Sequence, residues 1–415
     1  MPRFYSFNLP QYGNVNPTLA IIQGLIERGN EIHYYIADSF RETIEATGAQ
    51  FRSYGSVFTD ISMTMNTQDP KFMASRMERM VEDCRKLIPV ALEDARQNPP
   101  DALIYGQAAL GARIIAHILQ VPAILIRPTY ASNEHFNMMV EIQKLTINTP
   151  VNMADRMRPI IEKLNTQLAE LCAEYNVPAI SFLEMLTHAE PLTIVTLPRF
   201  FQFAGETFDE RFHFVGPCVL PRHDATDFPM EQLQSERPTL FISLGTSFNN
   251  RPEFYLSCFE AFGQSQWQVV LSIGKTVQLA ELGPIPENFI VHSYVPQLEV
   301  LKKTDIFITH GGMNSTMEGL TQGIPLIVVP QMGEQALSAR RVTELGAGLT
   351  LDATTVTSDD LRHALEQVEI DASYRANAKK LQGMIQEAGG YQAAVADIMN
   401  YVAQESEVHR ASVEI

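Results

Sequence analysis

The sequence predicts an α/β protein with two Rossmann-like, doubly wound domains that face each other across a cleft. Three observations support this fold class. Short β-rich runs alternate with longer helical patterns, glycine-bearing loops follow runs in both halves, and a segment rich in prolines and charges divides the runs into two series. The length of 415 residues agrees, because it exceeds what one hydrophobic core usually supports.

The first series predicts strands at residues 4–9, 31–36, 51–54, 102–105, 123–126 and 192–196, most of them separated by helical stretches. The second series predicts strands at residues 239–243, 268–272, 289–292, 306–309 and 325–329. Strands that alternate with helices build βαβ units, in which the strands run parallel. Ligands of such sheets bind beyond the carboxyl ends of the strands, so the loops there are the candidate site.

The domain boundaries follow the composition. Residues 1–216 form the predicted N-terminal domain and residues 239–390 the second domain. Residues 217–238 combine prolines and charges with few periodic apolar residues, which is typical of a linker. A helix predicted at residues 391–405 follows the segment "EAGG", whose glycines let the chain turn back. Residues 391–415 are therefore expected to pack on the first domain as a helix and tail.

Composition argues against several functional classes. The 48 Asp and Glu against 31 Lys and Arg give a formal net charge of -17, which repels nucleic-acid phosphates and anionic lipids. No apolar run is long enough to cross a bilayer and no basic leader is recognisable, so we expect a cytoplasmic location without integral membrane contact. The four cysteines are widely spaced and form no Cys-x-x-Cys pair, which predicts reduced, structural thiols.

The stretch "THGGMNSTMEGL" at residues 309–320 follows a predicted strand and leads into a helix. Gly311 and Gly312 let a backbone approach a ligand closely and leave N–H groups free for an anion. A capping box is the alternative interpretation, in which Ser315 bonds the first N–H groups of the helix and Glu318 reaches back. Taken alone, the stretch favours the capping box.

Two further loops change this balance. "SYVPQLEVL" begins at Ser293 and "PLIVVPQMGEQ" begins at Pro325, and both lie at the ends of predicted strands of the second domain. The three loops together resemble the nucleotide-sugar signature of UDP-dependent glycosyltransferases. The whole chain looks like bacterial macrolide- and flavonoid-type glucosyltransferases of the GT-B fold, from "GNVNPTLAI" through "DERFHFVGP" and "FISLGTSFN" to "EAGG".

The resemblance implies an acceptor site in the first domain and a UDP-sugar site in the second. Tyr294, in place of the family's frequent Trp, would stack on uracil, and the backbone of Val295 would hold the base. Gln297 would lie near the base and ribose, and Glu318 would accept both ribose hydroxyls. The residues implied at the diphosphate and the sugar are His310, Gly312, Asn314 and Ser315, then Ser243, Gly245 and Thr246 on the opposing wall, and Glu334 and Gln335 at the sugar hydroxyls.

The first domain departs from this family at two positions. In relatives the first loop reads Gly-His-x-x-Pro, and its His takes the proton of the acceptor hydroxyl, whereas the loop "QYGNVNPTL" has Asn14 there. The Asp that orients this His follows the strand predicted at residues 102–105, where the chain has Gly106. An amide can orient a nucleophile, but it cannot accept its proton near neutral pH.

Four explanations for the missing dyad stay open. The acceptor is an acidic phenol, an amine or a thiol that needs no base; a base comes from elsewhere; the chain is an engineered or catalytically impaired variant; or it only binds UDP-sugar. His135, in "SNEHFNMMV" after the strand predicted at residues 123–126, is the candidate for a relocated base. The alternative for His135 is a surface or packing histidine.

The implied activity is transfer of a hexose with inversion, with glucose from UDP-glucose as the expected donor and a small apolar or aromatic acceptor. The second half has no convincing Asp-x-Asp to hold Mg²⁺, so we expect no metal or cofactor, the UDP-sugar being a co-substrate. Methionine runs at residues 62–66 and 137–139 could line the acceptor pocket or fill a core. Transfer to a lipid or cell-wall precursor is a second catalytic interpretation, which no basic amphipathic helix supports.

Overall fold

The structure is a computed structural model that describes residues 1–58, 70–145, 153–220, 228–234, 236–246 and 249–413. Within these ranges the chain forms two parallel β-sheets, one in each half, with apolar clusters on both faces of each sheet. The predicted α/β fold with two Rossmann-like domains is confirmed. The methionine run at residues 62–66, residues 221–227 and 235 of the predicted linker, and residues 414–415 of the tail lie outside the described residues.

The first sheet contains β1 (Arg3–Phe7), β2 (Glu31–Tyr35), β3 (Gln50–Arg52), β4 (Ala102–Gly106), β5 (Ala123–Arg127), β6 (Leu192–Val195) and β7 (Phe212–Phe214). The strand order is β3-β2-β1-β4-β5-β6-β7, and every pair is parallel. The helices of this half are α1 (Tyr12–Glu27), α2 (Arg41–Glu45), α3 (Pro70–Gln97), α4 (Leu110–Leu119), α5 (Met138–Leu145), α6 (Met153–Glu174) and α7 (Phe182–Thr187).

The second sheet contains β8 (Thr239–Ser243), β9 (Gln268–Ser272), β10 (Phe289–His292), β11 (Ile306–Thr309), β12 (Leu326–Val328) and β13 (Gly348–Thr350). The strand order is β10-β9-β8-β11-β12-β13, again with parallel pairs only. The helices are α8 (Pro252–Phe262), α9 (Gln297–Leu301), α10 (Met313–Thr321), α11 (Gly333–Glu344), α12 (Ser358–Ile370), α13 (Ala372–Glu387) and α14 (Gly390–Val413).

Burial explains which strands the sequence predicts. β8 and β11 are buried along their whole length, so they read as continuous apolar runs, and their predicted bounds agree with the structure. β7 and β13 were not predicted; each has only three residues and lies at the edge of its sheet, as does β3, which was predicted. A three-residue run carries almost no periodic signal.

The strand order places the candidate loops together. In the first sheet the chain adds β2 and β3 on one side of β1 and then continues with β4 on the other side. In the second sheet it adds β9 and β10 on one side of β8 and continues with β11 on the other side. The loops after β1 and β8 and after their neighbours, β4 and β11, therefore meet at two switch points, where open α/β sheets bind ligands. Asn14 and Gly106 lie at the first switch point, and Gly245 and His310 lie at the second.

The two domains are in direct contact. One apolar cluster includes Tyr130 and Phe136 of the first half and Leu337 of the second. Helix α5 packs on α11, and α1 meets α10. Helix α14 returns to the first half and packs on α1, where Val395 and Ile398 share a core with Ile21 and Ile22. The predicted domain boundaries stay predictions.

All four cysteines, Cys84, Cys172, Cys218 and Cys258, are buried and unpaired. Among the helices of the described ranges, none combines the length and the apolar character that crossing a bilayer requires. The cytoplasmic location stays a prediction.

Candidate active site between the domains

The imidazole of His310 lies between two glycines. A Cβ atom at Gly245 would lie 2.5 Å from His310 Cε1, and a Cβ atom at Gly312 would collide with His310 Nε2. Gly245 also has a φ of +75°, a backbone conformation that L side chains rarely adopt. The loops after β8 and β11 can therefore hold the ring only because both contact positions are glycine.

His310 is neutral at physiological pH. Burial lowers its pKa to about 4, because the charged ring would lose its hydration. Its Nδ1 atom is buried and has no hydrogen-bond partner among the described residues. Since buried polar atoms are nearly always paired, this ring has unused hydrogen-bonding capacity that a ligand can satisfy.

Helix α10 begins directly after this histidine. Gly312 is its N-cap and offers no side chain, so the N–H groups of the first turn have no capping partner from that residue. Ser315 lies inside the helix rather than at its N-cap, and the capping-box interpretation of Ser315 and Glu318 is therefore excluded. An uncapped helix N-terminus with a positive dipole end suits an anion.

A polar cluster joins α9 to α10. Gln297 Nε2 donates to Glu318 Oε2 at 2.6 Å and to Ser315 Oγ at 3.3 Å. Glu318 is only 4% exposed, whereas Tyr294, three residues before Gln297, is 42% exposed, and Val295 between them is buried. The cluster therefore sets a buried carboxylate on the helix that begins at the glycine loop, next to a segment with an accessible aromatic ring.

Asn249 supports the loop after β8, and nothing in the sequence pattern singles it out. Its Nδ2 atom donates to the Gly245 carbonyl at 2.6 Å, and its side chain is buried. Ser243 is buried and its Oγ accepts from the Gly245 N–H at 3.3 Å, while Thr246 is exposed. The loop is thus fixed from both sides around the glycine that faces His310.

Glu334 connects the two domains. Thr129, just after β5, donates from Oγ1 to Glu334 Oε1 at 2.7 Å. Burial raises the pKa of Glu334, and the Thr129 hydrogen bond opposes that rise. Gln335 is buried, and its Oε1 accepts from the Gln331 N–H at 2.7 Å. The predicted sugar-binding pair therefore lies at the contact between the halves, with Thr129 as a neighbour that the sequence analysis missed.

The position of the usual Asp is filled by another side chain. A Cβ atom at Gly106 would collide with Asn8 Oδ1. Asn8 Nδ2 donates to the Asn14 carbonyl at 3.3 Å, to Thr18 Oγ1 at 3.4 Å and to Tyr34 Oη at 3.2 Å. Asn8 Oδ1 is buried and has no hydrogen-bond partner among the described residues. The structure therefore brings Asn14 and Gly106 together around Asn8, a third amide that the sequence analysis did not identify.

Asn14 itself has no carboxylate or imidazole partner in the described structure. Its Nδ2 atom donates to Gln11 Oε1 at 3.1 Å, so the group beside it is another amide. Neither side chain can take up a proton near neutral pH. The described hydrogen-bond partners of the Asn14 residue, Asn8 and Gln11, therefore include no group that accepts a proton near neutral pH.

His135 lies on the surface. Its side chain is 56% exposed, and its Nε2 atom is 3.4 Å from the carboxylate of Glu134. Asn133 holds the turn, because its Oδ1 accepts from the backbone N–H groups of His135 and Phe136 at 2.9 Å. No described contact joins His135 to Asn14 or Gly106, so the relocated base stays a prediction. In the described part of the chain, no three His, Cys, Asp or Glu side chains are arranged to hold a metal.

Comparisons with known proteins agree with this geometry. The model of the family "UDP-glucoronosyl and UDP-glucosyl transferase" matches residues 55–388. The NDP-glycosyltransferase YjiC of Bacillus subtilis (strain 168) is 38% identical, over 94% of this chain and 95% of that protein. The demethyllactenocin mycarosyltransferase of Streptomyces fradiae is 30% identical, over 95% of this chain and 85% of that protein.

A solved structure extends the likeness to the fold. The calicheamicin glycosyltransferase CalG4 superposes with a TM-score of 0.81 and 30% sequence identity, covering 97% of this chain and 98% of that chain. Both Rossmann-like domains are therefore shared, as expected for the GT-B fold. The chain belongs to the UDP-glucoronosyl and UDP-glucosyl transferase family, and it is a glycosyltransferase of the bacterial macrolide type.

Proposed function

We propose that this glycosyltransferase moves glucose from UDP-glucose, with inversion and without a metal ion, to a small apolar or aromatic acceptor. One observation carries the proposal: a neutral imidazole, whose buried Nδ1 atom has no close hydrogen-bond partner among the described residues, sits between Gly245 and Gly312 at the start of α10. A diphosphate fits such a place, because it supplies the oxygen acceptors that the ring and the first-turn N–H groups lack.

The surrounding residues suit the rest of the donor. Tyr294 offers an exposed ring for uracil, and Glu318 offers a buried carboxylate that can accept two ribose hydroxyls once Gln297 shifts to share it. Glu334 and Gln335 offer oxygens and an amide to the sugar hydroxyls. Asn314 and Ser315 add polar groups on the first turns of α10.

The reaction needs charge stabilisation at the leaving group. The acceptor atom forms a bond to the anomeric carbon while the bond from that carbon to the β-phosphate oxygen breaks, and UDP leaves with the electron pair. Negative charge grows on the diphosphate, where preorganised N–H donors and the helix dipole stabilise it. The acceptor proton passes to water, or the acceptor arrives already ionised.

The acceptor side favours nucleophiles that need little help. Asn8, Gln11 and Asn14 are amides, and Gly106 has no side chain, so the described residues supply no base there. General-base assistance is typically worth about 10² to 10⁴ in rate. We therefore expect acidic phenols, amines or thiols to be better acceptors than ordinary alcohols.

Calorimetry tests the donor half of the proposal. UDP and UDP-glucose are titrated into the protein with EDTA present, and binding with micromolar to millimolar affinity is expected. The variant His310→Ala should bind UDP-glucose at least about tenfold more weakly, since the hydrogen bond from the ring to the charged diphosphate is lost. If titration with UDP and with UDP-glucose releases or absorbs no heat, the proposed donor is wrong.

Product analysis tests the acceptor half. UDP-glucose is incubated with a phenol, an arylamine and a thiol of similar size, and the anomeric configuration of each product is read by NMR. We expect β-linked product from at least one of the three. An α-linked product would overturn inversion while leaving the transfer itself intact.

A protein that binds UDP-sugar without transferring it is the second candidate. It is favoured by the filled space at Gly106, where Asn8 lies in the position that a carboxylate would need. The two candidates give different results in the same experiment. Binding of UDP-glucose together with no product from any acceptor supports the binding protein.

A further inference from the structure

A short loop after β9 leaves the sheet at the edge that carries the proposed donor site. Ser272 at the end of β9 pairs in register with Ser243 at the end of β8, so residues 273–277 lie beside the loop that contains Gly245. The carboxyl ends of neighbouring parallel strands meet at one edge, where open α/β sheets bind ligands. Lys275 lies in the middle of this loop, and the sequence analysis missed it.

The loop is anchored at both ends. Ile273 and Val277 are buried in the apolar cluster that contains residues of β8 and α8. The Ile273 N–H also donates to the His292 carbonyl at 3.0 Å. Lys275 lies between these anchors and is exposed. The backbone of Lys275 is therefore held in place, while its side chain can extend along the edge of the sheet.

Contacts on both sides of Lys275 connect it to the loop after β8. A Cβ atom at Gly274 would collide with the Asn249 side chain, and Thr276 Oγ1 donates to Asn249 Oδ1 at 3.4 Å. Asn249 Nδ2 in turn donates to the carbonyl of Gly245, the glycine that faces the imidazole, at 2.6 Å. Asn249 thus bridges the Lys275 loop and the proposed diphosphate site.

Apart from the N-terminus of α10, the proposed donor site offers a diphosphate little positive charge. Burial lowers the pKa of His310 to about 4, so its ring is neutral near pH 7. Glu318 and Glu334 contribute carboxyl groups and not cations. The whole chain has a formal net charge of -17, which repels an approaching anion unless a local cation compensates it.

Arg251 and Lys275 are the cationic residues in the loops after β8 and β9, and they differ in their partners. Arg251 pairs with Glu253 and donates to Gln331 Oε1 at 2.6 Å and to the Ala353 carbonyl at 2.9 Å. The Lys275 side chain has no hydrogen bond or ion pair with another described residue. Its ammonium is therefore available at the edge where the diphosphate is proposed to bind.

We infer that Lys275 binds the diphosphate of the donor through an ion pair. The inference rests on the proposed function, because it assumes that the donor is a nucleoside diphosphate sugar. A Lys ammonium is a compact charge on a flexible stem, which suits a phosphate group reached from an exposed loop. UDP carries more negative charge than UDP-glucose, since its terminal phosphate ionises further near neutral pH. The ion pair is therefore stronger with the product UDP than with the substrate.

Calorimetry with the variant Lys275→Gln tests the ion pair. At about 20 mM NaCl it should bind UDP-glucose at least about fivefold more weakly than the wild type, with a larger loss for UDP. At about 500 mM NaCl the loss should shrink to about twofold or less, because salt screens an exposed ion pair. A purely structural defect has no reason to disappear with salt. Equal affinities at low salt, or a loss that salt leaves unchanged, would overturn the inference.

The variant Lys275→Arg separates the charge from the side chain. It keeps the positive charge and should bind UDP-glucose within about threefold of the wild type. If Lys275→Arg binds as weakly as Lys275→Gln, the conformation of the loop and not the charge is responsible, and the inference is wrong. Thermal unfolding of each variant confirms that it is folded.

Lys303→Gln is the matched control. Lys303 is also exposed, but it precedes β11 and so lies at the opposite edge of the same sheet. Its removal changes the net charge by the same amount and should leave the affinity for UDP-glucose unchanged. If Lys303→Gln weakens binding as much as Lys275→Gln does, the effect comes from the charge of the whole protein, and the assignment to Lys275 is wrong.

The same titrations distinguish this inference from the proposed function. If the wild type binds neither UDP nor UDP-glucose, both are wrong. If the wild type binds both ligands and Lys275→Gln binds them equally tightly, only the role of Lys275 is wrong. If the salt-dependent loss is found but no acceptor is glucosylated, Lys275 binds the diphosphate as inferred, and only the proposed transfer is wrong.

Discussion

At the scale of single residues, His310 depends on its neighbours having no side chain. Gly312 has an ordinary φ of -60°, so steric contact with the ring, and not backbone strain, requires glycine there. This makes Gly312 a cleaner probe than Gly245, where a positive φ and a close contact act together. The ring position can therefore be tested with one methyl group.

Gly312→Ala should weaken UDP-glucose binding by at least about tenfold, or ~1.4 kcal/mol, because the added methyl group displaces the His310 ring. Calorimetry gives the affinity. Gly383→Ala on α13 is the matched control, since a Cβ atom there meets nothing within 4 Å, and its affinity should be unchanged. If the Gly312→Ala variant binds UDP-glucose as tightly as the wild type does, the His310 ring is free to move.

The neutral state of His310 predicts a pH dependence of donor binding. The free ring has a pKa of about 4, and diphosphate oxygens beside it favour the charged form, so binding raises this pKa. Between the two values the complex holds more protons than the free protein, and affinity should therefore increase as pH falls from 7 towards 4. UDP-glucose is the suitable ligand, because its diphosphate diester does not titrate in this range.

Calorimetry in buffers of different ionisation enthalpy would measure this proton uptake directly. The variant His310→Gln should bind UDP-glucose with no uptake and little change with pH. Proton uptake that persists in the variant would show that a residue other than His310 titrates.

The close contact between Asn8 and Gly106 predicts what happens when an Asp is introduced at residue 106. Gly106→Asp alone should destabilise the fold by about 1 to 3 kcal/mol, because its Cβ collides with Asn8 Oδ1 and its charge is buried. Adding Asn8→Ser should recover most of the loss in urea unfolding. Gly13→Asp is the control, since nothing lies within 4 Å of a Cβ atom there. Equal stability of Gly106→Asp and Gly13→Asp would mean that Asn8 moves away without cost.

At the scale of elements, the contact between α5 and α11 joins the domains next to the predicted sugar site. Gly333, the first residue of α11, faces Ile142 of α5, and a Cβ atom at Gly333 would collide with the isoleucine Cγ2. Arg340 of the same helix pairs with Glu141 at 3.2 Å and lies over Phe203, 4.3 Å from the ring centre. Small changes at this contact should alter domain closure before they alter donor binding.

Gly333→Ala should lower kcat by at least about tenfold while UDP affinity stays within threefold, because misplacing one reactant by about an ångström is costly in rate. The double variant Gly333→Ala and Ile142→Ala removes the colliding methyl group and should recover much of the rate. Steady-state kinetics and calorimetry give the two quantities. If the double variant is as slow as Gly333→Ala, the glycine is required within α11 and not for the contact with Ile142.

The elements also show what a sequence can predict. β8, β9, β10 and β11 have the predicted bounds. β8, β9 and β11 are buried along most of their length, whereas the edge strand β10 is mostly half-buried and is recognised by its aromatic and β-branched residues. The roles of Asn8 and Thr129 were not predictable, since they depend on distances to Gly106 and Glu334, far away in the chain. Local patterns carry propensity and periodicity, whereas such contacts arise only once the sheets and domains are assembled.

At the scale of the whole molecule, α14 packs on the first domain although it follows the second sheet in the chain. Ile398 is fully buried in the core that α14 shares with α1, and the His213 side chain pairs with Asp397 at 2.7 Å. The ion pair is partly exposed and should contribute at most about 1 kcal/mol. The apolar contact is therefore the main stabilising contribution of this helix.

Ile398→Ala should reduce the free energy of unfolding by about 2 to 5 kcal/mol, since it removes buried methyl groups and leaves a cavity. Urea unfolding followed by circular dichroism measures the loss, and Asn400→Ala on the exposed side of α14 is the control. UDP affinity should change little, because the donor loops belong to the other sheet. A loss below about 1 kcal/mol would mean that α14 is dispensable for the first domain.

The return of α14 also sets the order in which the protein can be completed during synthesis. Helix α1 and the strands around it leave the ribosome well before α14, the helix that covers them. The second domain has all of its strands before that point and can fold while the first still exposes an apolar face. The first domain is thus begun before the second domain and completed after it, and until α14 is available it is the half that most needs a chaperone.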